Sequence, residues 1–298
     1  MTEYKVLVTL DGSHHAERAL AYLGVLPSLG ASEVLLISVV DESEDFHDLA
    51  LPEAREREAN LLSTYLDAVS ADIAEHLGIS VRTKVLRGSP AACILDEVKA
   101  FSPELMVIST HGHSGITRWR LGSVADKVIR GAACNTLVIG PKATHEGRFQ
   151  VDDFVGAFKS VLVPLDGSPL AEEALPVAAL IADTFDASLI LVNAVPVPMF
   201  GDAFVGEAIY AAGLDHLIEA AHNFLSRAAA TLNRPAETEV LVGPAAFRLE
   251  EYISTKRIDL VVMTSHGKGG FFRATLGSVA GRLIGGPAPI LIVRPARP

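Results

Sequence analysis

The apolar residues of this chain fall into short runs separated by longer, mixed stretches. Residues 6–10, 34–40, 81–86, 105–109 and 136–139 are β-branched or aliphatic runs. Between them, residues 14–29, 53–77, 90–100 and 123–131 have helical character. Near-continuous apolar strands alternating with helices suit a buried parallel sheet, because helices then cover both of its faces. The pattern predicts β-α-β-α-β-α-β-α-β, an open α/β sheet of the doubly wound type. Further along, residues 161–165, 189–195, 239–242, 260–264 and 290–293 predict five more strands.

The second set copies the first. Val6-Leu7-Val8-Thr9-Leu10-Asp11-Gly12-Ser13 recurs as Val161-Leu162-Val163-Pro164-Leu165-Asp166-Gly167-Ser168, an offset of 155. The same offset relates Ala16-Glu17 to Ala171-Glu172, and Leu86 and Gly88 to Leu241 and Gly243. It also relates His111-Gly112 to His266-Gly267, and Leu121-Gly122-Ser123-Val124-Ala125 to Leu276-Gly277-Ser278-Val279-Ala280. One constant offset over this span means a duplicated domain, with a period too long for a solenoid. The expected division is 1–140, a linker at 141–157 where Gly, Pro and charged residues interrupt the pattern, and 158–298.

Composition narrows the function classes. The 298 residues carry 25 Lys+Arg against 36 Asp+Glu, a net charge of −11, with 49% hydrophobic residues. That is globular and too apolar for disorder. The acidic balance argues against a general nucleic-acid or anionic-membrane partner. The two cysteines, Cys93 and Cys134, make neither a disulfide framework nor a metal-site spacing, and read as core residues of a reducing compartment. No apolar run approaches the roughly 18 residues that span a bilayer. The start, Met1-Thr2-Glu3-Tyr4-Lys5, lacks the basic and apolar regions of a signal peptide, so a cytoplasmic location is expected.

In such a sheet, ligands bind beyond the carboxyl ends of the strands, where strand order reverses. Asp11 and Asp166 end the first strand of each copy; His111-Gly112 and His266-Gly267 follow the fourth. Gly122-Ser123 and Gly277-Ser278 then open the last helix, where backbone amides backed by the helix dipole favour phosphate. Each piece also has a plain reading. Asp-Gly-Ser serves equally as a strand-to-helix turn with an N-cap serine, and Gly-Ser as a capping loop. Arg118 and Arg273, at matching positions, either face phosphates or are solvated surface residues. Joint recurrence in both copies favours a site.

These residues resemble the universal stress protein family in its tandem form, over nearly the whole chain. The ATP-binding branch of that family carries Gly-x2-Gly-x9-Gly-(Ser/Thr) after the fourth strand. Gly112 with Gly122-Ser123, and Gly267 with Gly277-Ser278, match its last two elements. Ser109 and Thr264 stand where the pattern has its first glycine, placing a side chain where the backbone would approach ribose and phosphates. The resemblance implies an adenine nucleotide alpha hydrolase-like fold, with five parallel strands per copy in the order 3-2-1-4-5. It implies ATP as cofactor, with Mg²⁺ as a companion. Asp11 and Asp166 would lie near adenine or ribose, and backbone groups near Val40 and Val195 would face adenine. Phosphates would meet Gly112, Gly122, Ser123 and Val124, or Gly267, Gly277, Ser278 and Val279. It also implies pairing through fifth strands, as an intrachain pseudo-dimer with a homodimer as a further option.

Other nucleotide sites are missing: the sequence has no Gly-x4-Gly-Lys-(Ser/Thr) loop, and no Gly-x-Gly-x-x-Gly follows its first strand. The Ser13-His14-His15 run is replaced by Ser168-Pro169-Leu170 in the second copy, so it forms no repeated triad. The copies diverge after their second strands, into the acidic Asp41-Glu42-Ser43-Glu44-Asp45 and the stiff Pro196-Val197-Pro198-Met199-Phe200. Acidic residues there disfavour an anion unless Mg²⁺ intervenes; the alternative is a solvated, screened loop. Phe200 and Phe204 could wall an adenine ring, bind a partner or pack their own loop. Three function classes remain: an ATP-responsive stress module, a nucleotide-free interaction protein of the same fold, and a slow ATPase or autophosphorylating protein. No general base at a defensible position supports the third. The second copy is slightly favoured as the ATP site, because it lacks the acidic 41–45 loop and adds Lys268 to Arg273.

Overall fold

The computed structural model describes residues 4–42, 51–110, 121–143, 149–197, 207–264 and 276–295. They fall into two compact units, 1–157 and 158–298.

The first unit contains β1 (Tyr4–Thr9), α1 (His14–Glu17), a 3-10 turn (Leu20–Val25), β2 (Ala31–Asp41), α2 (Leu51–Leu77), β3 (Ser80–Gly88), α3 (Pro90–Phe101), β4 (Leu105–Ser109), α4 (Ser123–Gly131) and β5 (Asn135–Ile139). Its strands lie in the order β3-β2-β1-β4-β5 and every pairing is parallel. The second unit contains β6 (Ser160–Pro164), α5 (Pro169–Glu172), α6 (Leu175–Phe185), β7 (Ser188–Val195), α7 (Glu207–Ala230), β8 (Glu237–Val242), α8 (Ala245–Lys256), β9 (Leu260–Thr264), α9 (Ser278–Leu283) and β10 (Ile290–Val293). Its order is β8-β7-β6-β9-β10, again all parallel, so each copy has the expected 3-2-1-4-5 arrangement.

The central strands are buried on both faces: Val6, Leu7 and Val8 of β1, and Val161, Leu162 and Val163 of β6, have no exposed surface. Helices supply the cover. Along α2, Ala59, Leu62, Leu66 and Ile73 are buried, a spacing that keeps to one helical face. The outer strands β3 and β8 alternate largely between exposed and partly buried positions, with Leu241 of β8 buried. Charged residues blunt β3: Arg82 pairs with Glu33 and Lys84 with Glu97.

One predicted helix is broken. Residues 14–29 read as a single helix, yet α1 stops at Glu17 and a 3-10 turn follows. The Ala21 carbonyl, which an α-helix would offer to residue 25, instead accepts the Val155 amide at 2.8 Å. The segment after β5 is thereby laid onto this turn, with Tyr22 donating to the Ala143 carbonyl (2.7 Å) and Arg18 to that of Pro141. In the second unit α6 runs on for eleven residues.

Candidate functional site

The first strand of each unit ends on the same turn. Asp11 folds its carboxylate over it, Oδ1 accepting from the Ser13 amide (3.0 Å) and hydroxyl (2.6 Å). Ser13 Oγ accepts from the Ala16 amide at 3.2 Å and so caps α1. Asp166 repeats this on Ser168 at 2.9 and 2.6 Å, and Ser168 caps α5 through the Ala171 amide at 3.2 Å. Gly12 (φ +77°) and Gly167 (φ +80°) provide the left-handed residue each turn requires. The plain reading of Asp-Gly-Ser as an N-capped turn is therefore realised, and it engages Oδ1 of both aspartates.

The fourth strand brings the remaining groups to the same edge. β1 and β4 lie side by side, Val6 opposite Leu105 and Val8 opposite Val107, so Asp11 and Thr110 emerge together. Ser109 donates its hydroxyl to the His15 carbonyl at 2.7 Å, tying the end of β4 to the start of α1. The Gly122 amide donates to the Thr110 carbonyl at 3.0 Å, tying the start of α4 to the same point. A Cβ on Gly122 would lie 2.9 Å from that carbonyl oxygen, so this closure demands glycine. Gly122 is the N-cap of α4 and offers no side chain to the first-turn amides, which include those of Ser123 and Val124. Gly277 has nearly the same backbone at the start of α9 (φ −55°, ψ 146°, against −59° and 147°), leading into Ser278 and Val279. β6 lies beside β9, with Val161 opposite Leu260, which places Asp166 on the corresponding edge.

Val40 and Val195 are buried near the ends of β2 and β7. Val40 lies opposite Arg87, and the Val195 carbonyl accepts the Gly243 amide at 2.9 Å. Gly112 and Gly267 lie outside the described residues, as do His111, His266, Arg118, Lys268, Arg273, Phe200 and Phe204. Of the acidic loop, Asp41 and Glu42 are described; Glu42 lies 3.9 Å from Arg87, which also pairs with Glu56. That arginine offsets part of the charge the sequence placed here, and its counterpart is the neutral Val242.

The sequence reading missed one pair. Ser38 donates its hydroxyl to the Leu10 carbonyl at 2.7 Å, and at the matching position Asn193 donates its amide to Leu165, also at 2.7 Å. Different side chains thus hold the same carbonyl at the head of the crevice. The signal was one polar residue inside each apolar second strand.

The opposite edge of the sheet is closed by the protein itself. Glu104 accepts the Lys5 amide at 2.7 Å, and Asp259 accepts those of Lys159 and Ser160 at 2.8 and 2.9 Å. At the carboxyl edge, the glycine N-caps offer no side chain to the first-turn amides of α4 and α9, a donor set suited to an anion. Among the described residues, no cluster of three or more His, Cys, Asp or Glu could hold a metal ion, and no helix is long and apolar enough to cross a membrane.

Comparison with known proteins bears on the family and the fold. A universal stress protein of Mycolicibacterium smegmatis is 27% identical over 99% of this chain and 98% of its own. One from Methanocaldococcus jannaschii is 34% identical, over 45% of this chain and 81% of its own. The crystal structure of a universal stress protein from Archaeoglobus fulgidus shares the fold, with a TM-score of 0.66 at 18% identity, covering 97% of this chain and 96% of that one. The model of the universal stress protein family matches twice, at residues 4–140 and 157–294. One match in each half, together spanning most of the sequence, means that the chain belongs to the universal stress protein family.

Proposed function

We propose that this protein is a cytoplasmic, ATP-binding stress-response module whose nucleotide occupancy biases a conformation or a partner surface. The observation that carries the reading is the duplicated carboxyl edge, where the Asp-Gly-Ser turn meets a glycine-capped helix start between the first and fourth strands. Base and ribose would lie beside Asp11 and Val40, or Asp166 and Val195. Because the Gly122 amide is spent on Thr110, phosphate would be met by the amides of Ser123 and Val124, and in the second copy by those of Ser278 and Val279. The serine hydroxyls can add a donor each. Gly112 and Gly267 belong to the same phosphate assignment by sequence pattern. Bound Mg²⁺ would supply positive charge against the phosphates, which matters most beside Asp41 and Glu42. We assign the two modules to 1–140 and 158–298, joined by 141–157, with homodimerisation as part of the proposal.

A second reading, an interaction protein that binds no nucleotide, is favoured by Ser109. Its side chain stands where the family pattern has glycine, and its hydroxyl is already committed to His15. Mass spectrometry of nucleotides released from the natively purified protein, followed by calorimetric titration with MgATP, separates the two. Co-purified adenine nucleotide and saturable binding support the first reading. An empty protein that takes up no MgATP establishes the second.

A further inference from the structure

The two copies keep the same turn but not the same wall. In the first, Leu62 and Ala59 of α2 are buried against Val40, with Val85 packed on the group. Leu62 also reaches the turn, since a Cβ on Gly12 would lie 3.6 Å from its Cδ2. The space between the end of β1 and the end of β2 therefore holds a leucine side chain of the protein itself.

At the offset of 155, Leu62 corresponds to Leu217 and Ala59 to Leu214. Leu62 is 9% exposed and Leu217 41%. Leu214 is only partly buried, although it is larger than alanine. The sheet below follows suit: Ser38 is buried, whereas Asn193, which makes the same bond to the first-strand carbonyl, is partly exposed. The register is not in doubt, because Leu66 and Ile73 correspond to Ala221 and Ala228, and all four are buried. Three matched positions are thus more exposed in the second copy, while the helix face further along stays packed.

We infer that the two crevices are unequal, and that the second alone takes the adenine base, which Leu217 and Leu214 would flank. The inference rests on the nucleotide reading above and adds which copy carries it. The first crevice is filled from within by Leu62 and keeps its shape without ligand. An aromatic base entering the second would cover apolar surface that is otherwise left in water, a gain the first cannot offer.

Calorimetry of the full chain with MgATP tests this. The wild type should bind one nucleotide per chain, and Leu217→Glu should weaken binding about tenfold or more, since it replaces an apolar contact of leucine size with a charge. Leu62→Ala should raise the stoichiometry towards two. Hydrogen exchange of the unsubstituted protein provides a reading independent of any variant, with MgATP expected to protect residues 165–168 and 193–197 well above 10–13 and 38–42. Two equivalent sites on the wild type, protection centred on the first copy, or unchanged affinity in Leu217→Glu would overturn the asymmetry while leaving the nucleotide reading intact. No binding to the wild type would overturn the nucleotide reading itself.

Discussion

After β1 and after β6 the chain begins in the same way and then diverges. Both stretches place an aspartate over a serine-capped turn, with bond lengths agreeing within 0.1 Å. Within ten residues one has become a 3-10 turn and the other an eleven-residue helix. In the first, a distant segment reaches the turn: Val155 donates its amide to the Ala21 carbonyl. Turn chemistry is local and is copied with the sequence. Helix continuation and crevice shape depend on what packs from outside, so they drift between copies even where the motif does not.

The strongest way to break this comparison is to remove the leucines that differ. Leu62→Ala should cost about 2–4 kcal/mol, because it empties a buried site between α2 and the sheet. Leu217→Ala, at a surface 41% exposed, should cost less than about 1 kcal/mol. Urea unfolding, with hydrogen exchange to assign the loss to one half, is the appropriate measurement, since two units need not unfold together. Equal costs would mean that the two walls are alike.

The contrast also explains what the sequence could tell. Strand order, the parallel sheet and the edge carrying Asp11 and Gly122 follow from periodicity, repetition and the family pattern, all of which are local or duplicated signals. The 3-10 turn at residues 20–25 was not legible, because a segment tied to it lies 134 positions away, at Val155. Nor was the role of Ser38 and Asn193, whose shared task is visible only once β2 lies beside β1. By the family pattern the glycine before α4 belongs to the phosphate contacts. Its nearest neighbour is the protein's own Thr110 carbonyl, so Gly122→Ala should cost roughly 1–3 kcal/mol with no ligand present. Thermal unfolding without nucleotide checks this. A neutral substitution would return that glycine to the ligand.

A gentler perturbation asks whether the two turns are energetically as well as geometrically equal. Ser13→Ala and Ser168→Ala each delete a cap accepted at 3.2 Å, and each should cost about 1 kcal/mol. The two values should agree within roughly 0.5 kcal/mol, a typical margin for independent sites. A clear disparity between the two in urea titrations would show that context reaches into the turn itself, contrary to the local origin argued above.

The last effect is absent at neutral pH and concerns a tyrosine of the first half. Tyr4 opens β1, and Lys159 occupies its place in the second copy. Burial, reinforced by the nearby Glu104 carboxylate and then Cys134, pushes the Tyr4 hydroxyl up to about 12 from an ordinary 10.0. Below the ordinary value both folded and unfolded chains hold the proton, so the group contributes no pH dependence there. Above it the unfolded chain ionises first, and the folded form loses stability as pH rises through 10 towards 12. One group can contribute a slope of at most about 1.4 kcal/mol per pH unit. Because lysines also titrate in this range, the decisive quantity is the difference between wild type and Tyr4→Phe, followed by hydrogen exchange in each half. The variant should flatten the alkaline decline of the first half and leave that of the second unchanged. Parallel declines in wild type and variant would mean that the Tyr4 ring is no better shielded from water than an exposed tyrosine.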